Sequence, residues 1–490
     1  MAGPGHFVRG RLPSRGGAGD DPAPGDPGAL SEGTGGRSMD TDLSLASPAQ
    51  SRAARGRWLT VAALGFGHFV DQGEGQAMST LFPAIRDALG LSYSHLGVIA
   101  TIRLILQTLS QPVWGYLADR FNRKWVIVFG TGIWGLWTVA CGLVTNYWQL
   151  LWVRAIAGIG LGCLMPPTFS LISDLFGPRE RGRAMGVLGG VGYLGIVLSV
   201  LGLGFLLRDP VMGWRYGFIS LGLASVLSGV VIALVVKEPP RGAAEPELQD
   251  AITYEAAGRF VIRREHLGLI FRIPTMWVIF VQGVFGVIPW VIMGTYFITW
   301  LVDVRGIPQT QAPMVFAAIV VGQVVANVVG GVVADWADRR SPAYGRIVVA
   351  QFSMFNGIWM TYVLFTRTGG LTFVQLTAFA FVVACFIGWA GKGSRDPILQ
   401  GVLLPELRST AWAIAGAVEG SLSALSAFWA GWLADRLGLQ ATLLAVPGSW
   451  VLLWLAWLSF YWVYPRDSLR LRAAMAARRK ELEGARAEAE

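Results

Sequence analysis

Long apolar stretches separated by short polar loops run through most of this chain from Trp58 onward. Each stretch has about 20 residues or more, which is the length that an α-helix needs to cross a hydrocarbon core roughly 30 Å thick. A longer polar stretch separates the sixth from the seventh. The pattern therefore predicts twelve membrane-spanning helices, at residues 58–85, 95–118, 124–145, 148–175, 183–207, 214–236, 275–302, 311–334, 345–366, 371–396, 409–434 and 439–464.

Two charged loops in equivalent places indicate an internal repeat. The first, Gly115–Lys124, follows the second predicted helix, and the other, Gly331–Arg340, follows the eighth. In both, an aspartate stands at the same distance after the leading glycine, at Asp119 and Asp335. The sequence therefore predicts an all-α membrane protein with two six-helix bundles, at residues 57–236 and 275–465.

Outside the bundles the chain is polar. Residues 1–56 are rich in Gly, Pro, Ser and Arg, so we expect a disordered cytoplasmic tail without a cleavable signal peptide. Residues 237–274 are expected to be a cytoplasmic linker that begins with Pro and Gly and ends in a basic, partly amphipathic run. Residues 466–490, a second cytoplasmic tail, have the composition of a short, solvated helix.

Composition indicates that most of the chain lies in lipid, and the distribution of basic residues predicts its orientation there. Of its 490 residues 53% are hydrophobic and only 14% are charged, against about 25% charged in soluble domains. The basic residues behind the net charge of +9 concentrate in every other loop, which predicts a multi-pass protein of a bacterial-type inner or plasma membrane with both termini in the cytoplasm. Nucleic acid is not an expected partner, because no basic, aromatic-interleaved soluble module is present.

Ionisable side chains inside the predicted helices are candidate functional residues, because placing them in lipid costs a few kcal/mol or more. His68, Asp71 and Glu74 recur every third residue in the first helix, so we expect them to share one face. Arg103 in the second helix lies at a depth from which it could meet either carboxylate. Asp71 or Glu74 then either exchanges a proton during transport or forms a permanent ion pair that fixes the two helices.

Polar residues of the second half suggest a central substrate site. Glu419 is a lone acid near the middle of the eleventh helix, and it serves either that site or a structural partner on helix 8 or 10. Lys392, Arg395 and Asp396 are expected to form a surface-level ion network. A polar and aromatic cavity for an amphipathic solute, or simple interhelical hydrogen bonding, would use Gln282, Trp290, Gln323, Asn327 and Asn356.

The loop Gly115–Lys124 resembles the signature loop between helices 2 and 3 of the major facilitator superfamily, and Gly331–Arg340 resembles its counterpart between helices 8 and 9. The spacing of Arg154, Gly158 and Gly160 is similar to the helix-4 motif of that superfamily. A narrower resemblance to Spinster-like transporters rests on Asp71, the first loop, Glu238–Gly242, Asp396 and Val402–Ala411. The resemblance implies a twelve-helix secondary transporter that works by alternating access.

The two charged loops are expected to control which face of the protein opens. Gly115 should let helices 2 and 11 approach closely, while Asp119 caps a neighbouring helix and pairs with Arg123 or a nearby basic residue. The alternative is that loop charge only sets the orientation in the membrane. The residues assigned to this machinery are Gly115, Asp119, Arg120, Arg123, Arg154, Gly331, Asp335 and Arg339.

These features together predict a monomeric transporter, driven by a proton or ion gradient, that moves an amphipathic or anionic organic solute. The resemblance makes lysophospholipid or sphingolipid-like cargo one candidate, and multidrug efflux or a transport-inactive receptor or scaffold are the alternatives. An enzyme is not expected, because no nucleophile–base pair stands out and the three cysteines lack metal-ligand spacing. No nucleotide-binding Gly-x-x-x-x-Gly-Lys-Ser/Thr loop is present, so neither a cofactor nor an ATP-driven step is expected.

Overall fold

Helices build the entire framework in the part of the chain that the computed structural model describes, which is residues 48–239, 268, 270–404 and 407–489. Twelve of them span the membrane and the thirteenth follows at the C-terminus. They are α1 (Pro48–Leu89), α2 (Tyr93–Arg120), α3 (Arg123–Cys141), α4 (Tyr147–Leu175), α5 (Pro178–Leu206), α6 (Gly213–Val235), α7 (Pro274–Asp303), α8 (Ala312–Arg340), α9 (Gly345–Thr366), α10 (Phe373–Ile387), α11 (Arg408–Leu437), α12 (Leu439–Leu458) and α13 (Phe460–Ala489).

Turn and cap chemistry repeats between the two halves. Gly90 after α1 and Gly306 after α7 have φ angles of 65° and 64°, a conformation that glycine adopts without the strain of an L side chain. The first turn of α4 is capped by Asn146, which accepts a hydrogen bond from the Gln149 amide at 3.0 Å. Thr372 caps α10, the corresponding helix of the second half. The predicted internal repeat is therefore visible in local structure.

Three of the twelve spans are shorter or less uniformly apolar than the others. Within the described ranges, nine segments are long and apolar enough to cross a membrane on length and composition alone. The exceptions are α1, which contains Asp71 and Glu74, α11, which contains Glu419, and the 15-residue α10. The helices that deviate most from a simple lipid-spanning pattern thus include those with the candidate site residues.

The tenth span is broken where the sequence predicts one continuous helix over 371–396. Helix α10 ends at Ile387, and a π-helical turn over Gly391–Arg395 leads into the short helix Asp396–Gln400. Such turns insert one extra residue into a helical turn and are frequent at functional sites. This π turn places Arg395 beside the central cavity described below.

Two helix pairs join the bundles, with α2 packing along α11 and α5 along α8. The backbones of α2 and α11 meet most closely at Gly97, where an added Cβ would lie 2.5 Å from the Ala427 carbonyl oxygen. The prediction that Gly115 mediates this approach is wrong in this structure. A Cβ on Gly115 would meet only Pro166 of α4, at an ordinary van der Waals distance of 3.8 Å.

The bundle ends differ from the predicted boundaries. Helix α1 begins at Pro48, so residues 48–56 of the predicted tail are helical, and the described residues from 53 onward form one compact unit. Residues 1–47 and most of the predicted linker, 240–267 and 269, lie outside the described residues. Helix α13 starts before residue 466, and its Asp467 is buried rather than solvated. The Asp467 carboxylate accepts hydrogen bonds from the Thr275 amide at 2.9 Å and hydroxyl at 2.7 Å, which caps α7.

Candidate functional site

A cavity of about 460 Å³ lies between the two bundles. The first bundle contributes Gln76 of α1 together with Tyr193 and Ile196 of α5, and α7–α12 supply the rest of the wall. Its size falls within the range of small-molecule sites, about 300–1,000 Å³. Five residues that the sequence predicts for a substrate site line it: Gln282, Trp290, Gln323, Asn327 and Glu419.

Apolar and aromatic side chains make up most of the cavity wall in the second bundle. Trp290 meets Trp450 edge to face with ring centroids 6.2 Å apart. Met293, Phe316 and Leu453 extend this apolar surface. A wall of this kind accommodates the apolar body of an organic molecule.

The amides on the wall are hydrogen-bonded to other parts of the protein. Gln282 accepts a hydrogen bond from the Trp457 indole N–H at 3.1 Å, which ties α7 to α12. Gln323 donates to a backbone carbonyl of α10 at 3.2 Å. Asn327 donates to the Tyr193 hydroxyl across the two bundles at 3.4 Å. Interhelical bonding, the alternative considered from sequence, therefore coexists with a place on the cavity wall.

Asn356 is not part of the cavity wall. It is buried, it donates to the Phe352 carbonyl at 2.8 Å, and it accepts a hydrogen bond from the Trp359 indole at 3.2 Å, all within α9. The prediction that Asn356 belongs to the substrate cavity is wrong. Which face of a helix turns inward depends on neighbouring helices whose positions this short polar pattern does not reveal.

An arginine–carboxylate pair interrupts the apolar wall. Arg395 contacts the Glu419 carboxylate through Nη2, and its Nη1 lies 3.3 Å from the Asp396 carboxylate. Both side chains of the pair are mostly buried, with 16% of Arg395 and 13% of Glu419 exposed. Arg395 Nε is buried and has no hydrogen-bond partner within the described part of the chain. The expected surface network is therefore wrong for Arg395, which reaches the cavity because the π turn directs it there.

A second cavity of about 190 Å³ adjoins the first at Gln76, which lines both. Its polar wall contains Asp71, Arg103 and Gln107. Arg103 donates a hydrogen bond to Gln107 at 2.9 Å. Among the described residues no hydrogen bond or ion pair joins Arg103 to Asp71, although the two share this cavity. A cation and a carboxylate thus face the same polar space without being locked together.

Glu74 lines neither of these cavities and lies inside the first bundle. The Thr138 hydroxyl donates a hydrogen bond to Glu74 Oε1, and Arg154 Nη1 stands 4.0 Å from the same oxygen. Arg154 is fully buried, and its guanidinium carbon lies 5.5 Å from the centre of the Phe218 ring. Glu74 therefore pairs with Arg154 rather than with Arg103. This arrangement matches the permanent-pair interpretation, with α4 in place of α2 as the partner helix.

His68 has a third environment. Its imidazole packs against Gly192 of α5, where an added Cβ would lie 2.5 Å from Nε2, and its Nδ1 has no hydrogen-bond partner among the residues that the structure covers. The predicted common face of His68, Asp71 and Glu74 is therefore too broad to act as one site. At about 100° per residue, positions six apart differ by roughly 120° around the helix.

In the first charged loop, Arg123 is the central residue. It is 1% exposed at the start of α3, contacts the Asp174 carboxylate and lies 2.9 Å from the Glu238 carboxylate. Burial alone would raise the pKa of Glu238, but hydrogen bonds from the Lys124 and Arg123 amides and the Arg123 side chain outweigh it and hold this pKa below its usual value. The charges at this end of the first bundle are therefore tightly neutralised.

Asp119 and Arg120 of the same loop are exposed. Arg120 donates to the Tyr116 hydroxyl at 3.2 Å. Asp119 forms no ion pair with any residue of the described ranges, and Arg123 is occupied by other carboxylates. The predicted pairing of Asp119 with Arg123 is wrong in this structure.

The second charged loop has a related arrangement. Asp335 accepts a hydrogen bond from Arg346 at 2.7 Å, and Arg346 also lies 3.3 Å from Asp338. Arg339 is exposed, and an added Cβ on Gly331 would meet no atom within 4 Å. Arg346 therefore takes, at the start of α9, the place that Arg123 takes at the start of α3.

Polar contacts also join the bundles on the face opposite the charged loops. Arg86 at the end of α1 pairs with Asp303 at the end of α7, and the Tyr93 hydroxyl donates to Asp303 at 2.8 Å. Asp435 of α11 accepts hydrogen bonds from the Tyr93 and Ser94 amides at 2.9 Å each. We call Arg86, Tyr93, Asp303 and Asp435 the interbundle latch. Sequence reasoning missed it, because its members are isolated charges far apart in the chain.

The profile of the Major Facilitator Superfamily matches residues 64–397, which is more than half of the chain. This chain belongs to the Major Facilitator Superfamily. Membership confirms the prediction of an integral, multi-pass membrane transporter rather than an enzyme.

Individual relatives give a more specific comparison than the family profile. Protein spinster homolog 1 of Bos taurus is 29% identical over 46% of this chain and 44% of its own length, so the match spans less than half of that relative. A probable L-galactonate transporter of Escherichia coli (strain K12) is 27% identical over 62% of this chain and 68% of its own length. A probable sulfoacetate transporter of Cupriavidus necator is 27% identical over 54% of this chain and 61% of its own length.

Solved structures confirm the fold. A bacterial homolog of the human lysosomal transporter Spinster, in an inward-facing and occupied conformation, matches with a TM-score of 0.69 at 20% identity over 84% of this chain and 98% of that one. A D-xylose-proton symporter matches with a TM-score of 0.65 at 17% identity over 83% and 97%. The predicted Spinster-like, twelve-helix architecture in two bundles is thereby confirmed.

Proposed function

We propose that this protein is a proton-coupled secondary transporter that moves an organic anion with an apolar body through the central cavity by alternating access. The observation that carries the proposal is the Arg395–Glu419 pair, which places one cation and one titratable carboxylate on a mostly apolar wall. An arginine suits carboxylate, sulfonate or phosphate groups because its planar donors bind two oxygens at once. The surrounding aromatic surface suits the remainder of the solute.

The names of the relatives support an anionic solute. L-galactonate and sulfoacetate, the solutes in two of those names, are both organic anions. A lysophospholipid or sphingolipid-like molecule with a net anionic head also combines a negative charge with an apolar body, so it stays within the proposed class. In the second cavity, Arg103 supplies a further cation, and its one hydrogen-bond partner among the described residues is a neutral amide, Gln107. An anionic group has a partner there without displacing a carboxylate.

Proton coupling would use Glu419 and Asp71. When Glu419 takes up a proton it loses its charge, and Arg395 is then free to bind the solute's anionic group. When the solute leaves, Glu419 releases the proton and pairs with Arg395 again. Asp71 shares the second cavity with Arg103, and no hydrogen bond or ion pair joins the two among the described residues. Proton uptake by Asp71 would therefore remove a negative charge that competes there with the anionic group of the solute. At the central cavity, Arg395 alternates between a carboxylate of the protein and the anionic group of the solute.

The latch supports alternating access. Of the ion pairs between described residues, the one that joins the two bundles is Arg86–Asp303, on the face opposite the charged loops. Arg123 and Arg346 pair only within their own bundles. With the charged loops on the cytoplasmic side, as loop charge predicts, the latch holds the opposite, outer face of this state closed. The opposite state requires the latch to break, and the charged loops are then available to join the bundles.

The test is solute-driven proton movement in proteoliposomes loaded with a pH-sensitive dye. The probes are sulfoacetate, L-galactonate and a lysophosphatidic acid, each with an uncharged analogue. We expect at least one anion, and none of the analogues, to drive proton entry, and we expect Asp71→Asn and Glu419→Gln to abolish it. Glu180→Gln, which removes an exposed carboxylate of the α4–α5 region, serves as the control.

Other outcomes identify the alternatives. If lipophilic cations of many shapes drive proton movement and anions do not, multidrug efflux replaces the proposal. If no solute moves in either direction while the protein remains monodisperse, the transport-inactive receptor or scaffold is favoured. Proton entry that persists in both carboxylate variants would refute the coupling roles of Asp71 and Glu419.

A further inference from the structure

The second charged loop contacts the π turn that carries Arg395. Arg346 Nη1 donates a hydrogen bond to the Gly393 carbonyl at 2.6 Å, while its other terminal nitrogen binds Asp335 at 2.7 Å. Arg346 is therefore held at one end by a carboxylate of the loop and holds the π turn at the other. Gly393 lies only two residues before Arg395 in the chain.

Backbone packing reinforces this contact. An added Cβ on Gly393 would lie 2.9 Å from Gly331 Cα, so the π turn rests directly on the backbone of α8. Next to it, an added Cβ on Gly330 would lie 2.7 Å from Trp389, which stands two residues before the first residue of the turn. Such close approach leaves the turn little room to shift sideways, because backbone cannot move aside as a flexible side chain can. Gly331, the first residue of the second charged loop, thus lies where the backbone of the π turn packs on α8.

The π turn needs such support. A π-helical turn gives up the regular i→i−4 pattern, and here the Arg395 amide bonds to the Ala390 carbonyl at 3.1 Å. Carbonyls near the turn require other donors, and Arg346 supplies a charge-assisted one to Gly393. Ser394, fully buried, donates to the Trp389 carbonyl at 3.3 Å. The turn is thereby fixed on the side that faces away from the cavity.

Among the residues that the structure describes, the first half shows no equivalent connection to either of the two cavities. Arg123 contacts Ser170 and Asp174 in the last turns of α4 and Glu238 beyond α6. None of these residues lines either of the two cavities. Although the two loops are repeats in sequence, within the described ranges only the second is linked through one arginine to a turn that carries residues of the cavity wall.

From these contacts we infer that Arg346 is a positioning residue for the central cavity. Held by Asp335, it fixes the π turn through Gly393 and so places Arg395 against Glu419. The second charged loop then does more than close a face of the protein, because any movement of the loop also moves the cavity's arginine. The inference deepens the proposed function and rests on the role assigned there to the Arg395–Glu419 pair.

The test uses a cysteine reporter that requires no solute. Gly391 lines the cavity, and an added Cβ there meets no atom within 4 Å, so Gly391→Cys is accommodated. Cys385→Ala removes the one partly exposed native thiol, since Cys141 and Cys163 are buried. The rates of modification by an anionic and a cationic methanethiosulfonate are measured in the full-length protein. Their ratio reports the local charge that the Arg395–Glu419 pair sets.

A double-mutant cycle separates positioning from a general structural role. We expect Arg346→Gln to change the ratio by roughly threefold or more, the size expected for shifting one charge by a few ångström in a partly hydrated cavity. In a Glu419→Gln background the pair is already broken, so the same substitution should have little effect. Arg466→Gln, an exposed arginine of α13, should leave the ratio unchanged. Asp335→Asn should shift the ratio in the same direction by a smaller factor.

Two results would overturn the inference. One is an unchanged ratio in both Arg346→Gln and Asp335→Asn, and the other is an equal effect of Arg346→Gln with and without Glu419. If Arg346→Gln does not yield a monodisperse protein, Asp335→Asn carries the cycle alone, because it removes one exposed carboxylate and keeps the arginine. Failure of every solute in the transport assay would refute the proposed function without affecting this ratio, so the two outcomes are distinguishable.

Discussion

The interbundle latch predicts how the two conformations of the protein are balanced. The perturbation is Asp303→Ala, which removes the partner of Arg86 and the acceptor of the Tyr93 hydroxyl in one step. Both links run between the first and the second bundle. Their loss should favour the conformation in which this face is open, while the contacts of Asp435 remain.

The magnitude follows from burial. Hydrogen bonds to charged groups contribute about 1.5–3 kcal/mol each when buried, whereas fully exposed ion pairs contribute about 0–1 kcal/mol. Arg86 and Asp303 lie between these limits, with 22% and 13% of their side chains exposed. We therefore expect a loss of about 2 kcal/mol, which shifts the ratio of closed to open molecules by roughly thirtyfold.

The assay is a distance measurement between spin labels at exposed positions Ala88 and Val304, one in each bundle near the latch, in a background with the native cysteines replaced. Asp303→Ala should convert a short, narrow distance distribution into one with a substantial longer component. The control is Asp87→Asn, because Asp87 pairs with the same Arg86 inside the first bundle and reaches the second bundle only through Gln309 at 3.5 Å.

A distribution that stays short and narrow in Asp303→Ala would refute the reasoning, since apolar packing and the remaining contacts of Asp435 would then suffice to hold the closed face. An equally large change in Asp87→Asn would also refute it. That result would mean that the charge around Arg86 matters, and not the connection between bundles.

Three further predictions concern other contacts. Gly97→Leu should hinder closure of the latch face, because its side chain meets the α11 backbone, and spin-label distances that remain short would contradict this. Glu238→Gln should lower the melting temperature at neutral pH but little in acid. The native Glu238 carboxylate stabilises the fold above the pKa that it has in the unfolded chain, and this contribution is lost as the pH falls through its lowered pKa in the folded protein. An equal decrease in melting temperature at every pH would be inconsistent with the Arg123 contacts. Asp119→Asn should slow turnover in transport while leaving solute affinity intact, since the exposed aspartate would form its contacts only in the state in which the latch is broken. Unchanged turnover would show that Asp119 has no part in gating.

The helical framework is predictable because lipid leaves few choices. A backbone in hydrocarbon must satisfy its own hydrogen bonds, so each apolar run of sufficient length becomes one spanning helix. The two charged loops indicate the internal repeat, and the repeat in turn predicts the two bundles. The break after Ile387 was not predictable, because a π turn changes hydrogen bonding without changing hydropathy.

The candidate site was predictable in composition but not in pairing. Glu419, Trp290 and Gln323 were selected as polar or aromatic residues in apolar helices, and all three line the cavity. The partner of Glu74, however, depends on where α4 lies against α1. The periodicity of a single helix carries no information about the position of its neighbours. The same holds for Arg86 and Asp303, which are 217 positions apart and carry no local pattern.

The buried contact of Asp467 with Thr275 has a practical consequence for handling the protein. A C-terminal deletion placed at the predicted bundle boundary of 465 would remove the acceptor that caps the first turn of α7. The resulting truncation should express poorly or lose thermal stability for a reason unrelated to transport. Affinity tags and fluorescent fusions are better attached beyond Ala489, where α13 ends, than at a shortened terminus.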